Sequence, residues 1–284
     1  MSIKNNSEIL FLYDAKMTNP NGDMDNENKP RMDYDTDTNL VSDVRLKRYI
    51  RDYFEKGINK PIFVTENAKD AKDRAKQLKE KKIDYTDLID VRLFGAVFAD
   101  TGANTHLTGP IQFNWGYSLN PVEINESSTI TSSFGSGEGI GKDFRVKYSL
   151  IAFSGGVNAL TAKDTKLNDA DLKLFDTAMI KAIPFARTRS KIGQTPRFYL
   201  RIEANDNQTV LKDLREYVKV NYKADNKYAV RNTDDYSLEI GKLKEYLEKQ
   251  DISKIYYWKD DQLKIDDWSD FKNAFNDKLT DIKV

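Results

Sequence analysis

SEILFLYDAKM, residues 7–17, decides the reading of the fold. Its apolar run reads as a buried first strand. TNPNGDMDNENKPRMDYDTDTN (18–39) follows as an acidic loop, with Asp23, Asp25, Glu27, Asp33, Asp35 and Asp37 against Lys29 and Arg31. Then comes LVSDVRLKRYIRDYF (40–54). Ser42-Asp43 caps a helix running to about Phe54, with Gly57 near its C-terminus. On a helical wheel Leu46, Tyr49, Ile50, Tyr53 and Phe54 share one arc, and Arg45, Lys47, Arg48 and Arg51 the other. Such a helix packs by one face and offers cations from the other.

Downstream, IFVTE (62–66) predicts a short strand, 68–82 a charged helix and DLIDVRLFGAVFA (87–99) a more buried helix. GPIQFNWGYSLNPVEI (109–124) predicts a strand, and the Ser-, Thr- and Gly-rich 125–142 a projecting hairpin or loop. FRVKYSLIAFSG (144–155) reads as a strand. Residues 168–183 read as a helix with Leu172, Phe175, Met179 and Ile183 on one face. RFYLRIEAN (197–205) alternates, with Phe198, Leu200 and Ile202 on one side, and reads as a strand. A helix near 238–249, a strand at 253–258 and a last helix at 267–279 complete the chain. The order β, α, β, β, α, β with insertions predicts an α+β, ferredoxin-like antiparallel sheet.

The chain has 284 residues, enough for one large or two small domains. A hydrophobic share of 39% and a charged share of 32% fit a soluble globular protein. With no cysteine, disulfides, thiolate metal sites and cysteine catalysis are excluded, and a reducing, cytoplasmic setting fits. No secretory leader or membrane-spanning run is read. Net charge is zero, but its distribution is uneven. Residues 184–202 carry Arg187, Arg189, Lys191, Arg197 and Arg201 and no carboxylate. Local cations suffice for phosphate binding, because counterion release depends on local contacts.

Several chemistries fail on spacing. An EF-hand starting at Asp23 needs Gly and Glu where Asn28 and Tyr34 stand, although a looser magnesium site on Asp23 and Asp25 stays open. GSGEGIGK (135–142) is not a P-loop, because Ser136 and Asp143 occupy required positions. It reads as a hairpin tip, or as backbone amides which with Lys142, Arg145 and Lys147 approach phosphates. His106, the single histidine, reads as a loop or surface residue. TRSKIGQTPR (188–197) is the densest basic loop, and Arg187, Arg189 and Lys191 suit phosphate oxygens. Phe113, Trp115 and Tyr117 at period 2 read as core, or as a stacking row for bases. From the residues, the chain reads as a ferredoxin-like module with basic helix, loop and hairpin, expected to bind single-stranded nucleic acid by its backbone. No cofactor is called for.

Asn19 to Asp23, Pro30-Arg31 and Val41 to Tyr53 resemble the N-terminal signature of CRISPR type I Cascade backbone subunits. Asp90 to Gly95, Gly109 to Phe113, Phe144 to Tyr148 and Leu150 to Phe153 are similar to later blocks of that family. Thr188 to Arg197 resembles its type I-B branch. The resemblance implies an RRM-like palm (1–56, 109–120 and 144–284), helical fingers (57–108) and a β-hairpin thumb (121–143). It implies a non-catalytic subunit whose copies assemble head-to-tail along one crRNA, with other Cascade subunits, a target DNA strand and a recruited helicase-nuclease as partners. The expected RNA contacts are Asn19, Asn21, Arg45, Lys47, Arg48, Arg51, Lys142, Arg145, Lys147, Arg187, Arg189 and Lys191. Two rival readings are a metal-dependent RNA-cleaving subunit of type III kind, using Asp23, Asp25 or Asp33, and a general single-strand binder.

Overall fold

The computed structural model describes residues 1–100, 103–131 and 140–284. Labelling the core elements alone, β1 is Ser7–Thr18, α1 Asp43–Asp52, β2 Gly116–Ser118, β3 Val146–Val157, α2 Asp169–Phe185, β4 Gln194–Ala204 and β5 Ile252–Lys259. They lie side by side as β5-β4-β1-β3-β2. The four inner strands thus follow the 4-1-3-2 order of a ferredoxin-like split βαβ. β1 runs antiparallel to both neighbours, from Ser7 opposite Val157 to Thr18 opposite Val146, and from Ser7 opposite Glu203 to Ala15 opposite Gln194. Thr38–Val41 and Met32–Asp33 extend one edge; Leu279–Asp281 adds a parallel strand at the other.

The unbroken apolar run of β1 has a direct cause: the sheet is buried on both faces. Ile9, Phe11 and Tyr13 pack against Leu46, Tyr49 and Ile50 of α1 and Phe175, Met179 and Ile183 of α2. Leu10 and Leu12, with Phe198, Leu200 and Ile202, meet Leu214, Tyr236, Leu238, Leu243 and Phe271 on the other side. Segments 211–247 and 263–275 therefore form a layer over the face that an open RRM sheet uses for base stacking.

Three expectations are corrected. IFVTE forms no strand. Its amides bond a side chain instead: Phe63 N and Val64 N donate to the buried Asp90 carboxylate at 2.6 and 3.1 Å. The helix expected over 87–99 ends at Phe94, where Gly95 takes φ +73° and starts a strand, Gly95–Asp100, paired with Ala103–Thr108. A Cβ on Gly95 would stand 2.0 Å from the Leu107 carbonyl oxygen, so only glycine fits. Finally, 109–124 pairs with β3 in two pieces, Ile111–Phe113 and Gly116–Ser118, broken at Asn114-Trp115.

The insertion between α1 and β2 holds a small core of Phe63, Leu78, Leu88, Val91 and Phe98. Ion pairs fasten it, among them Arg51 Nε to Asp90 at 3.0 Å, Arg48 to Glu66 at 3.7 Å and Arg92 to Asp171 at 2.7 Å. Thr129–Thr131 and Ile140–Lys142 pair as hairpin legs. The Gly-rich stretch expected at its tip falls largely on 132–139, outside the described residues. Among the described residues, no helix is long and apolar enough to cross a membrane.

Candidate nucleic-acid interface

The C-terminal end of β1, the N-terminus of α1, the approach to β3 and the loop before β4 meet at one rim of the sheet. Asn19 N–H donates to the Ser190 carbonyl at 3.1 Å, and Lys16 N–H to that of Gly193 at 2.8 Å. These bonds weld the 188–193 loop to the end of β1. Asn21 Oδ1 accepts from both Ser42 N and Ser42 Oγ at 2.9 Å, fixing the loop to the helix cap. Asn19 is 5% exposed and its Nδ2 donates to the Asn28 carbonyl at 2.8 Å. Both asparagines shape the loop.

The cations stand on this frame. Arg145 donates to the Met17 carbonyl at 2.7 Å and pairs with Asp143 at 2.8 Å. Arg189 shares Asp143 at 2.8 Å while its side chain stays 65% exposed. Lys142 pairs with Glu27 at 2.7 Å, whose carboxyl is held below its ordinary value by that lysine's hydrogen bond and charge. Arg187 is exposed and forms no ion pair among the described residues. Arg45 lies 3.8 Å above the Tyr49 ring. Lys191 Nζ donates to the Asn19 and Pro20 carbonyls. Burial, then the charge of Arg45, lowers Lys191 to about 7.

The other expected contacts are placed elsewhere. Lys47 is 8% exposed and bonded to Asp43 and Gln112. Arg48 pairs with Asp52 and reaches the Val64 carbonyl, and Arg51 holds Asp90. Of the cationic face read from the helical wheel, Lys47, Arg48 and Arg51 are thus engaged within the molecule, the two arginines with the insertion. Lys147 pairs with Glu123 and Glu126. Arg197 and Arg201, counted in the basic patch, leave it. Arg197 binds Asp14 and Asp260, and Arg201 binds Asp176, at 8% and 2% exposure.

The aromatic row divides. Phe113 packs on Phe153 and Phe175, and Tyr117 lies under Arg215 at 4.2 Å. Trp115 is 43% exposed, with Arg31 at 5.9 Å over its ring. The wheel and the basic run gave no weight to Phe144, which sits beneath Lys29 at 5.1 Å and Lys142 at 6.0 Å. Its sequence signal is the flanking pair Lys142 and Arg145. His106 is exposed on its strand.

The acidic loop folds on itself. Asp23 pairs with Arg31 at 3.2 Å, and Asp33 accepts from Thr36 Oγ1 and Asp35 N. Among the described residues no group of three His, Asp or Glu is placed to hold a metal ion.

Comparison with known proteins gives the chain a family and its fold a likeness. Residues 5–241 match the family model described as CRISPR-associated protein Cas7. A relative from Haloferax volcanii, described as CRISPR-associated protein Cas7, is 31% identical over 310 aligned positions, covering 94% of this chain and 90% of its own. Chains from two solved structures are similar, one of a CRISPR RNA-guided surveillance complex and one of such a complex described as pre-nicking. Their TM-scores are 0.54 and 0.53, at 15% and 12% identity, and each match covers 95% of this chain and 98% and 100% of theirs. At that identity the likeness is one of fold.

Proposed function

The chain belongs to the CRISPR-associated protein Cas7 family, and from that premise we propose that it is a backbone subunit of a type I-B Cascade surveillance complex. It binds crRNA along the sugar–phosphate backbone, and copies of it stack head-to-tail on one guide. Its partners are further copies, other Cascade subunits, the target DNA strand and a recruited helicase-nuclease that does the cutting; this subunit itself cuts nothing. Residues 57–108 serve as fingers, 121–143 as thumb and the remainder as palm.

One observation carries the reading. Lys142, Arg145, Arg189, Lys191 and Arg45 come from three distant segments and meet at one rim, on a frame built by Asn19 and Asn21. Cations on a rigid frame hold phosphates without reading bases, which suits a subunit that must accept any guide. The covered sheet face supports the same view, since it leaves the rim rather than the face for the strand. Arg187 joins the rim set. Lys47, Arg48, Arg51 and Lys147 form an outer set that reaches RNA only by exchanging present partners.

The test is what copurifies when the chain is expressed with its complex and a CRISPR array. Discrete RNA of guide length is expected. Heterogeneous RNA favours a general single-strand binder, and its absence opposes both readings.

A further inference from the structure

Glu8 stands near the start of β1, about 33 Å along the strand from Thr18 and the rim. In the register of the sheet it lies opposite Gly156 of β3, and Gly156 lies opposite Gln112. Residues opposite one another on paired strands point to one face, so the three form a row. The missing side chain in the middle leaves a trough. A Cβ on Gly156 would stand 3.3 and 3.6 Å from the two Glu8 carboxylate oxygens. The trough is the floor of a cavity of about 300 Å³, walled by Pro110, Val157 and Val210. That is room for a small ligand with an apolar stem.

The carboxylate in this cavity lacks a counter-ion. It accepts a bond from the Leu211 backbone N–H. The charged groups on the segment above it are Asp206, Lys212, Asp213 and Arg215. Arg215 is bound to Asp213, and Asp206 and Lys212 are exposed. Residues 107–114 and 156–162 carry no charge. On β4, Ile202 lies opposite Glu8, and Arg201 and Glu203 to either side point to the other face. Lys47 is bonded to Gln112 Oε1 and to Asp43. Among the described residues no cation pairs with Glu8.

A desolvated carboxylate between aliphatic walls suits a cation that brings its own apolar stem. A calcium or magnesium ion needs several more oxygens than these walls offer. We propose that this cavity binds a small primary alkylammonium ion, its charged head on Glu8 and its carbon stem along Pro110, Val157 and Val210. The site is separate from the rim and needs no RNA.

The pH dependence follows by linkage. In the free chain burial raises the Glu8 carboxyl, the Leu211 bond opposes this and Asp213 adds to it, to about 7 from 4.5. A seated ammonium favours the carboxylate and lowers it again. The free chain thus holds a proton that the complex has lost, while an alkylammonium stays charged to about pH 10. Affinity therefore rises with pH up to about 7 and is level above it.

The probe is n-butylamine, titrated into the isotope-labelled full chain and followed by NMR. Saturable shifts of the Gly156 and Leu211 amides are expected. Kd is expected to fall about five- to eightfold from about pH 5.5 to 6.5 and to level off above about pH 7.5. With amine saturating, the Glu8 carboxyl carbon titrates lower by about one pH or more. n-Butanol, with the same stem and no charge, gives no saturable shift. Glu8→Gln weakens amine binding about tenfold or more at about pH 8 and removes its pH dependence. Val210→Trp narrows the mouth from a position that is 74% exposed, and also weakens binding. No saturable shift, n-butanol binding as well as the amine, or an unchanged affinity in either variant overturns the site. Each of these leaves the proposed function intact, since that is tested by the RNA that copurifies.

Discussion

Arg201 and Asp176 face each other in the core through two parallel bonds, Nε to Oδ1 at 2.8 Å and a terminal nitrogen to Oδ2 at 2.7 Å. The pair joins β4 to α2, and the Tyr199 hydroxyl adds a third bond to Asp176 at 2.7 Å. Removing Asp176 leaves the buried Arg201 with only the longer contact to Glu203, at 3.6 Å, as an ion pair among the described residues. Asp176→Ala is expected to cost about 3–5 kcal/mol in urea unfolding, and Asp176→Leu with Arg201→Met much less.

The two sets of cations separate by what they now hold. Arg51 clamps the fully buried Asp90, and Arg48 reaches the Val64 carbonyl. Arg48→Glu with Arg51→Glu is therefore expected to lower thermal stability and speed amide exchange over 62–66, with little change in the salt dependence of RNA binding. Arg189, exposed and tied to one carboxylate, behaves in the opposite way. Arg189→Gln is expected to leave stability unchanged within about 0.5 kcal/mol. It weakens binding to all RNA sequences alike and lowers the salt slope by about one. A changed slope in the helix double variant would return Arg48 and Arg51 to the rim set.

The acidic loop provides a test against cleavage. With Asp23 bound to Arg31 and Asp33 accepting local donors, the loop's carboxylates are used to hold its own turns. Complementary RNA incubated with the assembled complex and Mg²⁺ is expected to stay intact on a sequencing gel. Periodic cuts that vanish in Asp23→Ala or Asp33→Ala would establish the type III chemistry instead.

Glu8 gives the fold a pH signature. Burial, opposed by a backbone bond from Leu211 and reinforced by Asp213, raises its carboxyl to about 7 from 4.5. The native state thus holds this proton more tightly than the unfolded chain. The stability it contributes is full below pH 4.5 and is lost as pH rises to about 7. Glu8→Gln is expected to flatten that part of the stability profile and to gain about 1–3 kcal/mol at pH 8, read by urea unfolding.

The sequence made the core strands, α1 and α2 legible because period and caps act locally, as Ser42 and the run from Ile9 to Tyr13 illustrate. Where reading failed, a distant side chain had replaced a local rule. Asp90 takes the amides of Phe63 and Val64, which removes a strand no local pattern forbids. Arg201 looks like surface charge until Asp176 is placed beside it. The alternation of β4 marks Phe198, Leu200 and Ile202 as interior, yet Tyr199 on the other side is equally buried, because the helices cover its face while the C-terminal layer covers theirs, and strand periodicity does not announce two covers. At the rim, composition identified the basic loop and the residues around Lys142. It did not show which cations were already neutralised, since that depends on contacts between residues far apart in the chain.

The pairing of β1 also sets a timetable. It precedes every other strand of the sheet in chain order and lies in the sheet's middle. Thr18 meets Val146, and the other edge of the strand meets residues of 194–204. At about 5–20 residues per second, the ribosome takes roughly 6–25 s to pass from Thr18 to Val146, and longer to complete β4. Throughout that interval the apolar run from Ile9 to Tyr13 has neither neighbour. Chaperone dependence during translation should therefore centre on residues 7–18, and a circular permutant that begins near residue 144 would shorten the wait.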